Sequence, residues 1–244
     1  AIKYALSKAT LNGHCTVLED ELYNYVKLLL GVQLEEIEDS MIELKVKGDI
    51  FIEEREDNNW VYLSSYYKSE DNIVQKILSL DKARNIKKIS DFNEALAIVE
   101  EKTDIILSEK QKEAIKAVND NNVCVITGGP GTGKTTIIKV ILELYKMKKK
   151  KTVLCAPTGR AAKRMTETTG EEAKTLHRLL EIGKIQEETI GSKFNDYDIA
   201  PIDADVVIVD ETSMVDIFLM NYLLKAIYQG SKLVLVGDVD QLPS

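Results

Sequence analysis

The sequence predicts an α/β domain, a parallel sheet with helices on both faces, preceded by a small unit of helices and a hairpin. Three observations carry this. Four apolar runs, VCVIT (123–127), TVLCA (152–156), VVIVD (206–210) and LVLVG (233–237), alternate with helical stretches. Continuous β-branched runs without alternation are what a parallel sheet covered on both sides requires. The glycine-rich stretch GGPGTGKTT (128–136) lies between the first run and the amphipathic IIKVILELY (137–145), the setting of a phosphate cradle. Before residue 108 the pattern differs, with short helical segments and one strand–turn–strand.

The chain has 244 residues, more than the usual single domain and enough for two modest cores. No apolar stretch approaches the roughly 20 residues of a membrane span. Ala1 opens the sequence without the order of a signal peptide, and the reading stops at Ser244, so a fragment is expected. Cys15, Cys124 and Cys155 are too few and too scattered for a disulfide framework, and two of them fall in predicted core strands. A cytoplasmic protein is the expectation. The net charge of −8 argues at first against nucleic acid. Its distribution changes that: residues 1–107 hold 13 Lys and Arg against 21 Asp and Glu, and residues 108–244 hold 19 of each. A negative ligand is expected to meet the second part, where a local positive strip is compatible with overall balance.

In chain order, EDELYNYVKLL (19–29) has helical spacing, and Leu34, Ile37, Met41 and Leu44 mark one apolar face of a second helix. IFIEE and WVYLS flank the turn-forming REDNN as a hairpin. Helix, helix, hairpin is the order of a winged helix, expected over 1–67. Its acidic charge favours an accessory packing role over DNA contact. Residues 68–107 read as a helical connector, with Ile73, Ile77, Leu80, Phe92, Leu96 and Val99 on narrow stripes. The lysines of KMKKKK (146–151) end the helix after the cradle, where cations suit the negative end of the dipole.

The stretch 128–136 matches G-x-x-x-x-G-K-[ST] in its required context. Its cradle residues are Gly128, Gly129, Pro130, Gly131, Thr132, Gly133, Lys134, Thr135 and Thr136. Glycines let the backbone curl so that successive N–H groups point at phosphate oxygens. Lys134 is expected to reach the β- and γ-phosphates, and the Thr135 hydroxyl to bind Mg²⁺. VVIVDETS ends a strand in two acids, at the edge where ligands collect in open α/β sheets. Asp210 would hold the Mg²⁺ shell and Glu211 would orient and deprotonate the attacking water. The alternative is a helix cap, with Thr212 and Ser213 capping MVDIFLMNYLL.

QKEAI with Gln111, GGPGTGKTT, APTGRAAKRM (156–165), TLHRLL (175–180), VVIVDETSM (206–214) and GDVDQLPS (237–244) together resemble the ordered motifs of superfamily 1 DNA helicases. The closest likeness is to the RecD-like branch, that of exodeoxyribonuclease V alpha chains and RecD/TraA-type helicases. The resemblance covers 108–244 strongly and implies a RecA-like P-loop domain that binds ATP with Mg²⁺ and moves along single-stranded DNA, 5′ to 3′. It implies Gln111 as the adenine reader and Gln241 as the γ-phosphate sensor. It implies Pro157, Thr158, Gly159 and Arg160 as contacts to the DNA strand, with His177 as a further position. On their residues alone, these last would equally be a strand–helix turn with a capping Thr, a solvated Arg and a packed His. Neither His is near a Cys pair, so no zinc site is expected.

A complete motor of this family has a second RecA-like domain with an arginine finger, which these residues do not contain. The fragment itself is expected to be nearly inactive. No nuclease cluster of carboxylates and lysine is seen, so nuclease chemistry would belong to partner subunits in DNA repair and recombination. Two other readings stay open: the helicase half of a conjugative relaxase, and a non-motor regulatory module that binds ATP.

Overall fold

The computed structural model describes residues 1–84, 87–182 and 199–238. The chain divides into two compact units, Ala1–Ile73 and Val74–Ser244.

The first unit runs α1 (Ile2–Leu11), β1 (Thr16–Leu18), α2 (Glu19–Leu30), α3 (Leu34–Val46), β2 (Ile50–Arg55), β3 (Asn58–Leu63) and the start of α4 (Ser64–Asp81). The three strands form an antiparallel sheet in the order β1-β3-β2. This is a winged-helix arrangement. Its core is Ile2, Leu6, Leu22, Val26, Ile37, Met41, Ile50 and Val61. Glu19, Asp20 and Glu21 occupy the first turn of α2, where the helix dipole favours acids, and Gly31 ends it in the left-handed region. The hairpin turn is tighter than the span of REDNN. Arg55 pairs with Asn58, leaving Glu56 and Asp57 as a two-residue turn with φ of 49° and 62°. Two positive φ values match the right-handed twist of the flanking strands.

The second unit continues with α5 (Phe92–Thr103), α6 (Glu109–Asp120), β4 (Val123–Thr127), α7 (Lys134–Met147), β5 (Thr152–Ala156), α8 (Gly159–Thr169), β6 (Ala173–Thr175) and α9 (Leu176–Leu179). After the segment outside the described residues come β7 (Val206–Val209), a 3₁₀ turn (Thr212–Met214), α10 (Ile217–Ala226) and β8 (Lys232–Gly237). Five strands form an all-parallel sheet in the order β4-β8-β7-β5-β6. The core on one face joins Ile126, Leu154, Ile208, Val234 and Val236 to Ile138, Ile141 and Leu144 of α7 and to Ala95 and Val99 of α5. The alternate strand residues Val207, Val209 and Leu233 are also buried, so the sheet centre is covered on both faces and needs no alternating pattern. At the β4 edge, Val125 remains 63% exposed. No described helix is long and apolar enough to cross a membrane.

β8, the strand between β4 and β7, begins on a buried lysine. Lys232 is 0% exposed. Its ammonium donates to the carbonyls of Val118, Asn119 and Asn121 at 2.9, 2.9 and 2.7 Å. Those are end-of-helix carbonyls of α6 that have no intrahelical partner. Burial drives the Lys232 ammonium down to about 8, so it keeps its proton at neutral pH. Beside it, Asn119 bonds both backbone groups of Ile89, and Asn122 donates to the Ala83 carbonyl at 2.8 Å. Together these residues fasten the chain before α5 to the end of α6 and to β8.

Lys232→Met keeps the apolar stem and removes the donors, leaving three buried carbonyls unpaired. A loss of about 3 kcal/mol is expected, since each such group costs about 1–3 kcal/mol and water recovers part of it. Urea unfolding checks this, and a loss below about 0.5 kcal/mol would show that the lysine is not holding the helix end.

Candidate nucleotide-binding site

β4 ends at Thr127 and α7 starts at Lys134, so residues 128–133 form the strand-to-helix loop. Gly133 sits at the N-cap of α7 with φ of 85°. A Cβ there would come within 2.2 Å of the Gln111 side-chain nitrogen. A side chain at this position is excluded both by backbone conformation and by space. The loop therefore brings its N–H groups to the positive end of the 14-residue helix α7, the arrangement that attracts anions.

A cleft of about 270 Å³ opens beside this loop, lined by Pro130 through Thr135, Arg164, Asp210, Glu211 and Asp238. Its walls come from the carboxyl ends of β4, β7 and β8 and from α8. Because β8 separates β4 from β7, the loop and the acidic pair stand apart with room for a ligand between them. Lys134 donates to the carbonyls of Gly128 and, at 3.0 Å, of Gly129, and lies 3.9 Å from the Asp238 carboxylate, which is 1% exposed. The ammonium is held on the loop's own oxygens, acceptors that a phosphate can replace.

Burial raises the Asp210 carboxyl above its ordinary range, and the neighbouring Glu211 charge adds to this. The Glu211 N–H, which donates to Asp210 Oδ1 at 2.9 Å, opposes it, as do the charges of Lys134 and Arg164. Glu211 has φ of 53° and ψ of 42°, the left-handed region, unusual for a non-glycine residue. Neither acid caps α10. Asp216 does so, accepting from the Leu219 N–H at 2.8 Å, and Thr212 and Ser213 form only the 3₁₀ turn. The acidic pair is thus free to face the cleft.

Gln111 lies against the loop but is already engaged. Its carbonyl accepts from the Ser108 N–H at 2.9 Å in a capping box, and its amide donates to the Thr132 carbonyl at 3.4 Å. Thr136 follows Thr135 in the first turn of α7, and Thr132 donates to the Gly129 carbonyl at 2.9 Å. Gln241 lies outside the described residues. Thr158 caps α8, accepting from the Ala161 N–H at 3.2 Å, with Pro157 before it and Gly159 and the exposed Arg160 after it. Ala156 pairs with Thr175, so Thr158 and the exposed His177 each stand two residues beyond paired positions on adjacent parallel strands. Both reach the carboxyl edge of the sheet, outside the lining of this cleft. Two lining residues, Arg164 and Asp238, were not singled out from the sequence. The available signal for Asp238 was its place directly after a strand, like that of the acidic pair.

Among the described residues no three His, Cys, Asp or Glu side chains are grouped to hold a metal alone. A hydroxyl at Thr135 and a carboxylate at Asp210, completed by phosphate oxygens and water, match the oxygen donors Mg²⁺ takes.

Fold and cleft define a P-loop NTPase domain. The AAA domain family matches residues 111–244. The chain belongs to that family, in the RecD-like branch of superfamily 1 helicases. It is 44% identical to an ATP-dependent RecD2 DNA helicase of Deinococcus radiodurans over 56% of this chain and 18% of the relative. It is 36% identical to a RecBCD enzyme subunit RecD of Buchnera aphidicola over 75% of this chain and 32% of the relative. A solved Pif1 helicase from Candida albicans is 26% identical over 57% of this chain and 34% of that one, with a TM-score of 0.40. The chain thus spans under a third of the length of these curated relatives.

Two stability predictions follow from the acidic pair. With its folded pKa raised, Asp210 contributes to folding in full below its ordinary 3.8, and that contribution is lost as pH rises through the raised value. Asp210→Asn is therefore expected to melt higher than wild type at pH 7, with the gain shrinking as pH falls toward 4. A gain independent of pH would contradict the burial of its charge. At position 211, glycine should be more stable than alanine by about 1 kcal/mol, because only glycine takes the left-handed region without strain. Equal melting of Glu211→Gly and Glu211→Ala would rule that conformation out.

Proposed function

We propose that this chain is the ATP-binding part of a helicase motor that, in the complete protein, moves 5′ to 3′ along single-stranded DNA. The observation that carries the proposal is the cleft, which collects Lys134, Thr135, Asp210 and Glu211 from two strand ends separated by β8. Residues 108–244 act as a first RecA-like domain, 1–67 as an accessory winged-helix domain and 68–107 as the connecting segment, whose α5 packs into the core of the second unit. A second RecA-like domain supplies an arginine finger, a contribution worth about 10³–10⁵ in rate.

In this reading Lys134 leaves the Gly128 and Gly129 carbonyls for the β- and γ-phosphates of ATP. Gln111 gives up its capping contact or shares it to read the adenine edge, since an amide donates and accepts together. Bound Mg²⁺ would supply charge neutralisation at the phosphates, held by Thr135 and Asp210. Glu211 takes the proton of the attacking water as its oxygen bonds the γ-phosphorus and the bond to ADP breaks. Gln241 senses the γ-phosphate. Thr158, Gly159 and Arg160, with Pro157 setting the turn and His177 beside them, grip phosphates of the strand. Nuclease or helicase partner subunits act with the complete protein in DNA repair.

In the full-length protein, Lys134→Ala should abolish ATP hydrolysis without unfolding, and Glu211→Gln should bind ATP but stop turnover. Steady-state ATPase and filter-trapping of labelled ATP read both. Wild-type ATPase in folded Lys134→Ala would refute the loop assignment, and loss of binding in Glu211→Gln would refute the role of the base.

A further inference from the structure

The nucleotide cleft holds a second cation that the loop motif does not account for. Arg164 lines it from α8, in company with Lys134 and three carboxylates, Asp210, Glu211 and Asp238. Lys134 is committed to the loop carbonyls and lies 3.9 Å from Asp238. The Arg164 guanidinium makes no hydrogen bond or ion pair with any described residue, and its charge acts on the buried carboxyl of Asp210. An arginine is permanently charged and carries a rigid fork of donors that matches two oxygens of one phosphate. A solvated surface arginine would have no reason to lie within the cleft that holds the acidic pair. Lys134 and a bound Mg²⁺ would offset part of the repulsion between a triphosphate and the three carboxylates, and Arg164 is the further cation the cleft offers at its acidic side. The part nearest the acidic pair is the terminal phosphate, because the loop and the α7 N-terminus take the phosphates next to it.

We propose that Arg164 is a second phosphate-binding residue of this site, one that engages the terminal phosphate of a nucleoside triphosphate and so distinguishes triphosphate from diphosphate. The inference rests on the nucleotide reading above. It also has a structural consequence. Arg164 lies six residues, about 9 Å of helix rise, after Thr158, the N-cap of the same helix. One short helix thus joins the terminal phosphate to the edge where Thr158, Gly159 and Arg160 stand.

The test uses Arg164→Ala and Arg164→Lys, at an exposed position whose replacement leaves the core intact. Fluorescence titration with Mg²⁺ measures Kd for a non-hydrolysable ATP analogue and for ADP, with and without oligo-dT. Arg164→Ala should weaken the analogue about 10- to 100-fold, as loss of a charge-assisted bidentate pair does, and ADP by less than about twofold. Arg164→Lys should recover part of the loss. The effect of the analogue on oligo-dT affinity should shrink in parallel, since coupling between two ligands is reciprocal. Equal losses for both nucleotides, or no loss, would overturn the inference while leaving the site reading intact. A wild-type protein that binds neither nucleotide would remove both.

Discussion

The arrangement of the site depends on one pairing constraint: β8 is inserted between β4 and β7 in an all-parallel sheet. Were the loop-bearing strand and the strand of the acidic pair neighbours, their ends would be about 4.8 Å apart, too close to admit a phosphate chain between Lys134 and Asp210. With one strand between them the spacing roughly doubles, and the end of β8 contributes Asp238 to the floor of the gap. The register is secured at the opposite end, where Lys232 opens β8 and binds three carbonyls of the α6 terminus. Packing of Val234 and Val236 against Ile126 and Ile208 fixes which residues face the main core.

The cleft that results is uncomfortable for its own residues. A buried carboxyl at Asp210 resists ionisation, Glu211 holds a backbone conformation that suits glycine, and Lys134 is hydrogen-bonded to loop carbonyls with the Asp238 carboxylate no nearer than 3.9 Å. Groups held this way lose little when a ligand rearranges them, because they are not in their best arrangement beforehand. The stability that allows it comes from apolar burial elsewhere, such as Ile138, Ile141 and Leu144 on α7.

Much of this was legible in residue order because the decisive signals are local. Four uninterrupted apolar runs announce buried parallel strands, and the structure forms strands at all four. GGPGTGKTT contains both the left-handed glycines and the lysine that its loop needs. The Ile37 and Met41 stripe of α3 packs inward as its spacing implies. What escaped depends on distance in sequence. Arg164 looks like any helix-surface arginine until β5 and α8 deliver it to a cleft built 46 residues later, at Asp210. Lys232 reads as a strand boundary, and only the fold reveals three carbonyls around it. The short β1 and β6 have three residues each, too few for a periodicity to show. REDNN spreads turn-forming residues over five positions when backbone twist selects two of them.

A crystal structure of the chain with a non-hydrolysable ATP analogue and Mg²⁺ tests the central claim most directly. The account predicts the triphosphate in the cleft, with Lys134 Nζ moved from the Gly128 and Gly129 carbonyls onto phosphate oxygens and a metal between Thr135 and Asp210. A nucleotide bound elsewhere, or bound here while Lys134 keeps its carbonyl contacts, would contradict it.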